Sequence, residues 1–263
     1  VSGQTILSLH DVTVQFGGLK ACDSVTVDVQ RGELFALIGP NGAGKTTLVN
    51  AITGVYSPNE GSRVSYTDPD GTTHDLIGRK PHQIVRTGLA RTFQNLGLFP
   101  GLSVLDNLML GRYIHQKVGV MSGGLFTRGA VKEEVEAREA VERVLDLLEI
   151  PEYRWDAVGE LPYGLQKRIE LGRVLAMEPD LLLLDEPMAG MTTEEKQDVV
   201  RFIFEIRLAL GVTVLLIEHD MAVVMSIADR VMALNFGQQI ALGTPAEVQR
   251  NHDVIEAYLG AEG

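Results

Sequence analysis

The segment from Leu34 to Thr46 constrains this chain more than any other. Leu34 to Ile38 is a continuous apolar run of strand length that leads into Gly39-Pro40-Asn41-Gly42-Ala43-Gly44-Lys45-Thr46, and a helix pattern opens at Lys45 and closes at Gly54. Strand, glycine loop and helix in this order are the setting that gives the P-loop pattern its meaning. The glycines let backbone N–H groups wrap a phosphate, and the helix N-terminus adds positive potential. Lys45 then reaches the outer phosphates, Thr46 offers a hydroxyl to Mg2+, and Thr47 extends the same edge. A nucleotide site is predicted here.

A second element supports it. Leu181-Leu182-Leu183-Leu184 reads as a strand that delivers Asp185 and Glu186 to its C-terminal end. Successive strand side chains point oppositely, so the two acids are suited to different work. Asp185 fits the Mg2+ shell, and Glu186 fits the orientation and deprotonation of an attacking water. The plain alternative is a solvated strand end.

Around these elements, Leu7 to Phe16 and Val25 to Val29 alternate as early strands joined through Gly17 and Gly18, and residues 57–74 carry the turn formers of a short hairpin. Helical patterns dominate from Pro81 to Leu161, notably Lys132 to Glu149, where Val135, Val141, Val144, Leu145 and Leu148 share a face. Strand signals return at Leu181–Leu184, Val212–Ile217, Val231–Leu234 and Gln239–Leu242, with helices between them. One of those helices, Thr193 to Leu210, opens with a cap and an acidic first turn at Glu194 and Glu195. The alternation predicts an α/β fold with a mostly parallel sheet, an antiparallel β portion and a helical subdomain. Residues 1–263 are expected to form one domain, with a nucleotide-binding core at 1–80 and 166–263 and a helical subdomain at 81–165.

Composition removes several function classes. The formal charge of −12 repels phosphate backbones, and the densest basic stretch, Gln166 to Arg173, is interrupted by Glu170, so a nucleic-acid partner is not expected. Cys22 is the single cysteine, which allows no intrachain disulfide or thiolate metal site, fits a reducing cytosol and reads as a small buried residue. The longest apolar runs, such as Val212 to Ile217, fall far short of the roughly 20 residues that span a bilayer. Val1 to Gln4 lacks a basic start followed by an apolar run, so no secretory leader is expected there.

From Gln94 onward the motifs resemble those of ABC ATPases, in that family's order and over nearly the whole chain. Gln94, within Arg91-Thr92-Phe93-Gln94, resembles the Q-loop glutamine that contacts Mg2+ and senses the membrane partner. His219, in Ile217-Glu218-His219-Asp220, resembles the switch histidine that contacts the γ-phosphate. Phe16 resembles the aromatic residue that stacks on adenine; the alternative is a core phenylalanine sharing strand parity with Val12 and Val14. The signature position reads Leu161-Pro162-Tyr163-Gly164-Leu165-Gln166, departing from the common Leu-Ser-Gly-Gly-Gln. Pro162 has no hydroxyl, so phosphate contact there would rest on the Gly164 backbone and the following helix N-terminus. This Leu-Pro-Tyr-Gly form, with Gly237, Gly243 to Val248 and Val254 to Gly260, is similar to the ATPases of branched-chain amino-acid importers. Thr192 stands where the family's D-loop usually ends in Asp, or in Asn in that importer group.

The resemblance implies an ATPase that binds ATP with Mg2+ and sandwiches two ATP molecules with a second ATP-binding subunit, identical or related. Glu186 would act as base, with Lys45, Gln94 and His219 completing the catalytic set. Transporter membrane-spanning subunits would be the partners, placing the chain on the cytoplasmic face of the cell membrane. Leu98-Phe99-Pro100-Gly101-Leu102 would receive their coupling helix, unless Phe99 serves internal packing. The reading of an importer for branched-chain or other hydrophobic amino acids leads; urea or amide importers, lipid or lipopolysaccharide exporters, and soluble ABC ATPases of DNA repair or translation are the alternatives. No Asn-Lys-x-Asp motif supports guanine binding.

Overall fold

In the computed structural model, residues 3–92, 97–115 and 128–259 are described. They form two compact units: Val1–Arg91, Asp180–Ala189 and Arg207–Gly263 make the first, Thr92–Pro179 and Gly190–Ile206 the second.

The first unit holds both sheets. Strands β1 (Thr5–Phe16), β2 (Leu19–Gln30), β4 (Arg63–Thr67) and β5 (Thr73–Asp75) form an antiparallel sheet of order β2-β1-β4-β5. The other strands are β3 (Leu34–Ile38), β6 (Leu89–Arg91), β7 (Leu181–Asp185), β8 (Thr213–Ile217), β9 (Arg230–Asn235) and β10 (Gln238–Gly243). They run β10-β9-β3-β8-β7-β6, parallel except for the edge pair β9–β10. Every residue of β3, β7 and β8 is buried, as unbroken apolar runs in a parallel sheet require.

Strand parity divides the core. Phe35 and Leu37 of β3 join a cluster with helix α1 (Lys45–Ile52) and the valines of β1 and β2, whereas Ala36 and Ile38 join a second cluster with Val224, Val231, Val248 and Val254. Helices α7 (Met221–Ile227), α8 (Pro245–Gln249) and α9 (His252–Leu259) supply that second cluster, and α8 opens with a capping box between Thr244 and Glu247. The short helix α2 (Pro81–Val85) precedes β6. The first unit therefore extends to Arg91 rather than ending at residue 80, because β6 pairs in parallel with β7 inside the stretch predicted as helical.

The second unit is helical, with α3 (Val104–Arg112), α4 (Arg128–Leu147), α5 (Tyr163–Leu175) and the first part of α6 (Thr193–Leu210). Val141, Val144, Leu145 and Leu148 are buried as predicted, but Val135 is exposed: the buried face of α4 uses Ala137 and Ala140 instead. Arg201 on α6 donates two 2.8 Å hydrogen bonds to the Glu149 carboxylate beyond the end of α4. Thr192 and Glu195 cap α6 reciprocally, Thr192 N–H donating to Glu195 Oε2 at 2.8 Å and Glu195 N–H to Thr192 Oγ1 at 3.3 Å. The cap thus lies one residue before the predicted helix start, and the residue that departs from the D-loop pattern works as a helix cap.

Candidate functional site

Parallel α/β sheets present ligands at the C-terminal ends of their strands. Three such ends carry the predicted chemistry in the first unit: Gly39 follows β3, Glu186 follows β7, and His219 lies just past β8.

The loop after β3 is set by close packing. Gly44 adopts φ 102° as the cap of α1, and a Cβ there would meet the carbonyl oxygen of Ala21; one at Gly39 would meet that of Leu234. Ala43 O accepts from Gly237 N–H at 2.9 Å, and the Cys22 thiol donates to Gly44 O at 3.5 Å. Burial pushes that thiol up to about 12, so it stays a protonated donor. Gly237, noted only for its place in the tail pattern, thereby supports the phosphate loop.

Lys45 is buried, and its Nζ donates to the carbonyls of Gly39 at 2.6 Å and Pro40 at 3.0 Å. Burial pulls its pKa below the ordinary lysine value, while the carboxylates of Glu186 and Asp185 oppose that shift. The ammonium is therefore held among acceptors that triphosphate oxygens can match. A cavity of about 910 Å³ joins the loop residues Gly39 to Ala43 to His219, Phe236, Glu256 and Tyr258.

Asp185 is fully buried, and its Oδ2 accepts from Arg91 Nη2 at 2.6 Å. Arg91 also donates to Asn50 Oδ1 at 2.6 Å and Thr53 Oγ1 at 3.3 Å, so it fastens the end of β7 to helix α1. Sequence reasoning assigned Arg91 no role, and only its place in β6 beside β7 brings it to Asp185. Glu186 takes φ 49°, a left-handed conformation uncommon outside glycine, and its N–H donates to Ile217 O at 2.9 Å. The turn separates the roles of the paired acids more sharply than strand alternation does, and neither acid is a freely solvated strand end.

Glu218 was likewise passed over. It is 1% exposed, and its carboxylate accepts from Met188 N–H at 3.0 Å and His219 N–H at 3.2 Å. Burial raises its pKa. It joins the chain beyond Glu186 to the chain at His219, whose side chain is exposed.

The donor set suits a magnesium ion completed by phosphate. Among the described residues no group of three or more His, Cys, Asp or Glu side chains could hold a metal. Thr46 in the first turn of α1 and Asp185 at the end of β7 could instead supply hard oxygens from the two sides of β8, the pattern of Mg2+ bound through few protein ligands plus substrate.

Phe16 is 47% exposed, whereas Val12 and Val14 are buried, so its ring is not enclosed with theirs. In the second unit, Pro162 precedes α5 without a side-chain cap, Tyr163 is exposed, and Gln166 Nε2 donates to Leu161 O at 2.8 Å. Gly164 and Leu165 lie in the first turn of α5. Gln94 lies outside the described residues, as does Gly260. Phe99 is 54% exposed rather than internally packed, and buried Asn107 holds its backbone, accepting from Phe99 N–H at 2.9 Å and donating to Phe99 O at 3.1 Å. No described helix is long and apolar enough to cross a membrane.

The sequence profile described as ABC transporter matches residues 22–189, and that described as branched-chain amino acid ATP-binding cassette transporter matches residues 238–263. The chain is 39% identical over 255 residues to the high-affinity branched-chain amino acid transport ATP-binding protein BraF of Pseudomonas aeruginosa, spanning 97% of this chain and 98% of that one. It is 38% identical over 257 residues to the corresponding protein LivG of Escherichia coli (strain K12), spanning 98% of each. In three dimensions it is similar to the ADP conformation of MJ1267, an ATP-binding cassette of an ABC transporter, with a TM-score of 0.83, 31% identity and coverage of 98% and 99%.

Proposed function

The chain belongs to the ABC transporter family, and on that premise we propose that it is the ATP-hydrolysing subunit of an importer for branched-chain amino acids. Membrane-spanning subunits and a second ATP-binding subunit, identical or related, are its partners, and its place is the cytoplasmic face of the membrane. The observation that carries the ATPase reading is buried Lys45 at the start of α1, its Nζ on the carbonyls of Gly39 and Pro40 and within the charge field of Asp185 and Glu186 at the end of β7. The branched-chain solute rests on the relatives and on the match at 238–263.

In this reading the loop from Gly39 to Thr47 wraps the phosphates, and Phe16 stacks on adenine. Thr46, Asp185 and Gln94 would hold Mg2+, which when bound would neutralise phosphate charge. Glu186 takes a proton from the water that attacks the γ-phosphorus, the bond to the β–γ bridging oxygen breaks, and ADP leaves. Lys45 stabilises the charge on the transferred group, and His219 holds the γ-phosphate. Leu161 to Gln166 of the partner subunit's copy would close the site through the backbone at Gly164. Leu98 to Leu102, with exposed Phe99 at its centre, takes the coupling helix of a membrane subunit.

Glu186→Gln tests the assignment, because it removes the base and leaves the phosphate contacts. Turnover should fall at least about 100-fold, and an ATP-bound dimer should elute from a sizing column. A persistent monomer with full turnover would sink the reading.

A further inference from the structure

Phe16 is not alone at the turn end of the β1–β2 hairpin. Its ring lies 5.1 Å, centroid to centroid, from that of Tyr56, at an interplanar angle of 77°. Both rings meet solvent, Phe16 at 47% and Tyr56 at 37% exposure, and neither joins the core cluster that takes Val12 and Val14.

Tyr56 is also held in place. Its N–H donates to Asn50 O at 3.1 Å, which hangs it from the end of α1. Three residues on, Asn59 N–H donates to Thr13 O at 2.8 Å and Asn59 Oδ1 accepts from Gln15 N–H at 3.2 Å. The loop carrying Tyr56 is thereby stitched to the strand carrying Phe16. The same hairpin backs the phosphate loop, since Ala21 O closes off the space beside Gly44. An edge-to-face pair left half open to water, on a hairpin that also abuts the phosphate cradle, is a seat for a flat heteroaromatic ring.

We propose that Tyr56 is a positioning residue for the nucleobase: it fixes the Phe16 ring in one orientation, so that adenine meets a preset stacking surface instead of a rotating side chain. This rests on the reading of Phe16 as the adenine platform. Edge-to-face pairs contribute modestly, which sets the expected effect at about three- to tenfold in affinity.

Calorimetry with MgATP and with inorganic triphosphate, on wild type and variants, separates the two ideas. Phe16→Ala should weaken MgATP about tenfold or more and leave triphosphate unchanged. Tyr56→Ala should weaken MgATP about three- to tenfold, again sparing triphosphate, and Tyr56→Phe should restore wild-type binding because the ring alone is needed. The double variant should bind MgATP no more weakly than Phe16→Ala, since Tyr56 acts through Phe16. Unchanged MgATP binding by Phe16→Ala would remove the platform and the inference with it. Weakening by Phe16→Ala but not by Tyr56→Ala would overturn the inference alone, as would additive losses or an equal loss of triphosphate affinity in Tyr56→Ala.

Discussion

The phosphate loop and the stretch from Leu161 to Gln166 both end in a glycine-bearing helix N-terminus, yet they are finished to different degrees. Around the first, neighbouring backbone fills the space beside Gly39 and Gly44, and Lys45 already holds two loop carbonyls. Around the second, Tyr163 is exposed, and the atoms nearest a Cβ on Gly164 belong to the Glu195 side chain instead of to backbone. The first helix start is fixed by neighbouring backbone, and the second is flanked by a side chain and an exposed ring. Under the proposed function, that difference corresponds to a chain that holds nucleotide by itself and completes its site on pairing.

The strongest way to break the contrast is to undo the preorganisation. Arg91→Met would remove the guanidinium from which buried Asp185 accepts at 2.6 Å and should destabilise the chain by about 3–5 kcal/mol in urea unfolding. A loss below about 1 kcal/mol would mean that the strand ends hold themselves without Arg91.

The same change made in both places sharpens it. Gly44→Ala forces a left-handed alanine against the Ala21 carbonyl, so it should destabilise by at least about 2 kcal/mol and abolish MgATP binding by the monomer. Gly164→Ala pushes the Glu195 carboxylate off its cap on Thr192 N–H but gains helix propensity, so the two offset and stability should stay within about 1 kcal/mol. Monomer MgATP affinity should stay at wild type, while ATP-driven dimerisation of a Glu186→Gln background should weaken. Equal effects of the two alanines on monomer binding would erase the distinction.

The smallest effect concerns Glu218. Burial raises its folded pKa above the ordinary 4.5, so between those values the native chain binds more protons than the unfolded chain. Stability from this group is then fully present below pH 4.5 and is lost as pH rises through the folded value. In Glu218→Gln that decline should vanish, so the wild type should lose stability relative to the variant as unfolding is measured from pH 4.5 upward. A constant difference would show that Glu218 does not titrate with folding.

How much of this was legible in the chain follows from range. The phosphate loop, the β7 acids and the parallel strands are written locally, as apolar runs ending in glycine or carboxylate. Strand β6 was hidden because Leu89–Arg91 is too short to show a period of two among helical patterns. Arg91 and Glu218 were hidden because their partners are remote in sequence: Asp185 lies 94 positions from Arg91, and Met188 lies 30 from Glu218. The placing of Val135 failed by two positions, since the buried face runs through Ala137 and alanines can line a face that hydrophobicity assigns to valine.

A preformed phosphate cradle centred on Lys45 is tested most directly by titrating MgATP into the isolated chain and into Lys45→Ala in a calorimeter. Saturable binding at one site per chain is predicted, weakened at least about tenfold by the substitution, as loss of a charge-assisted phosphate contact requires. No measurable heat with the wild type, or equal affinity in both proteins, would contradict it.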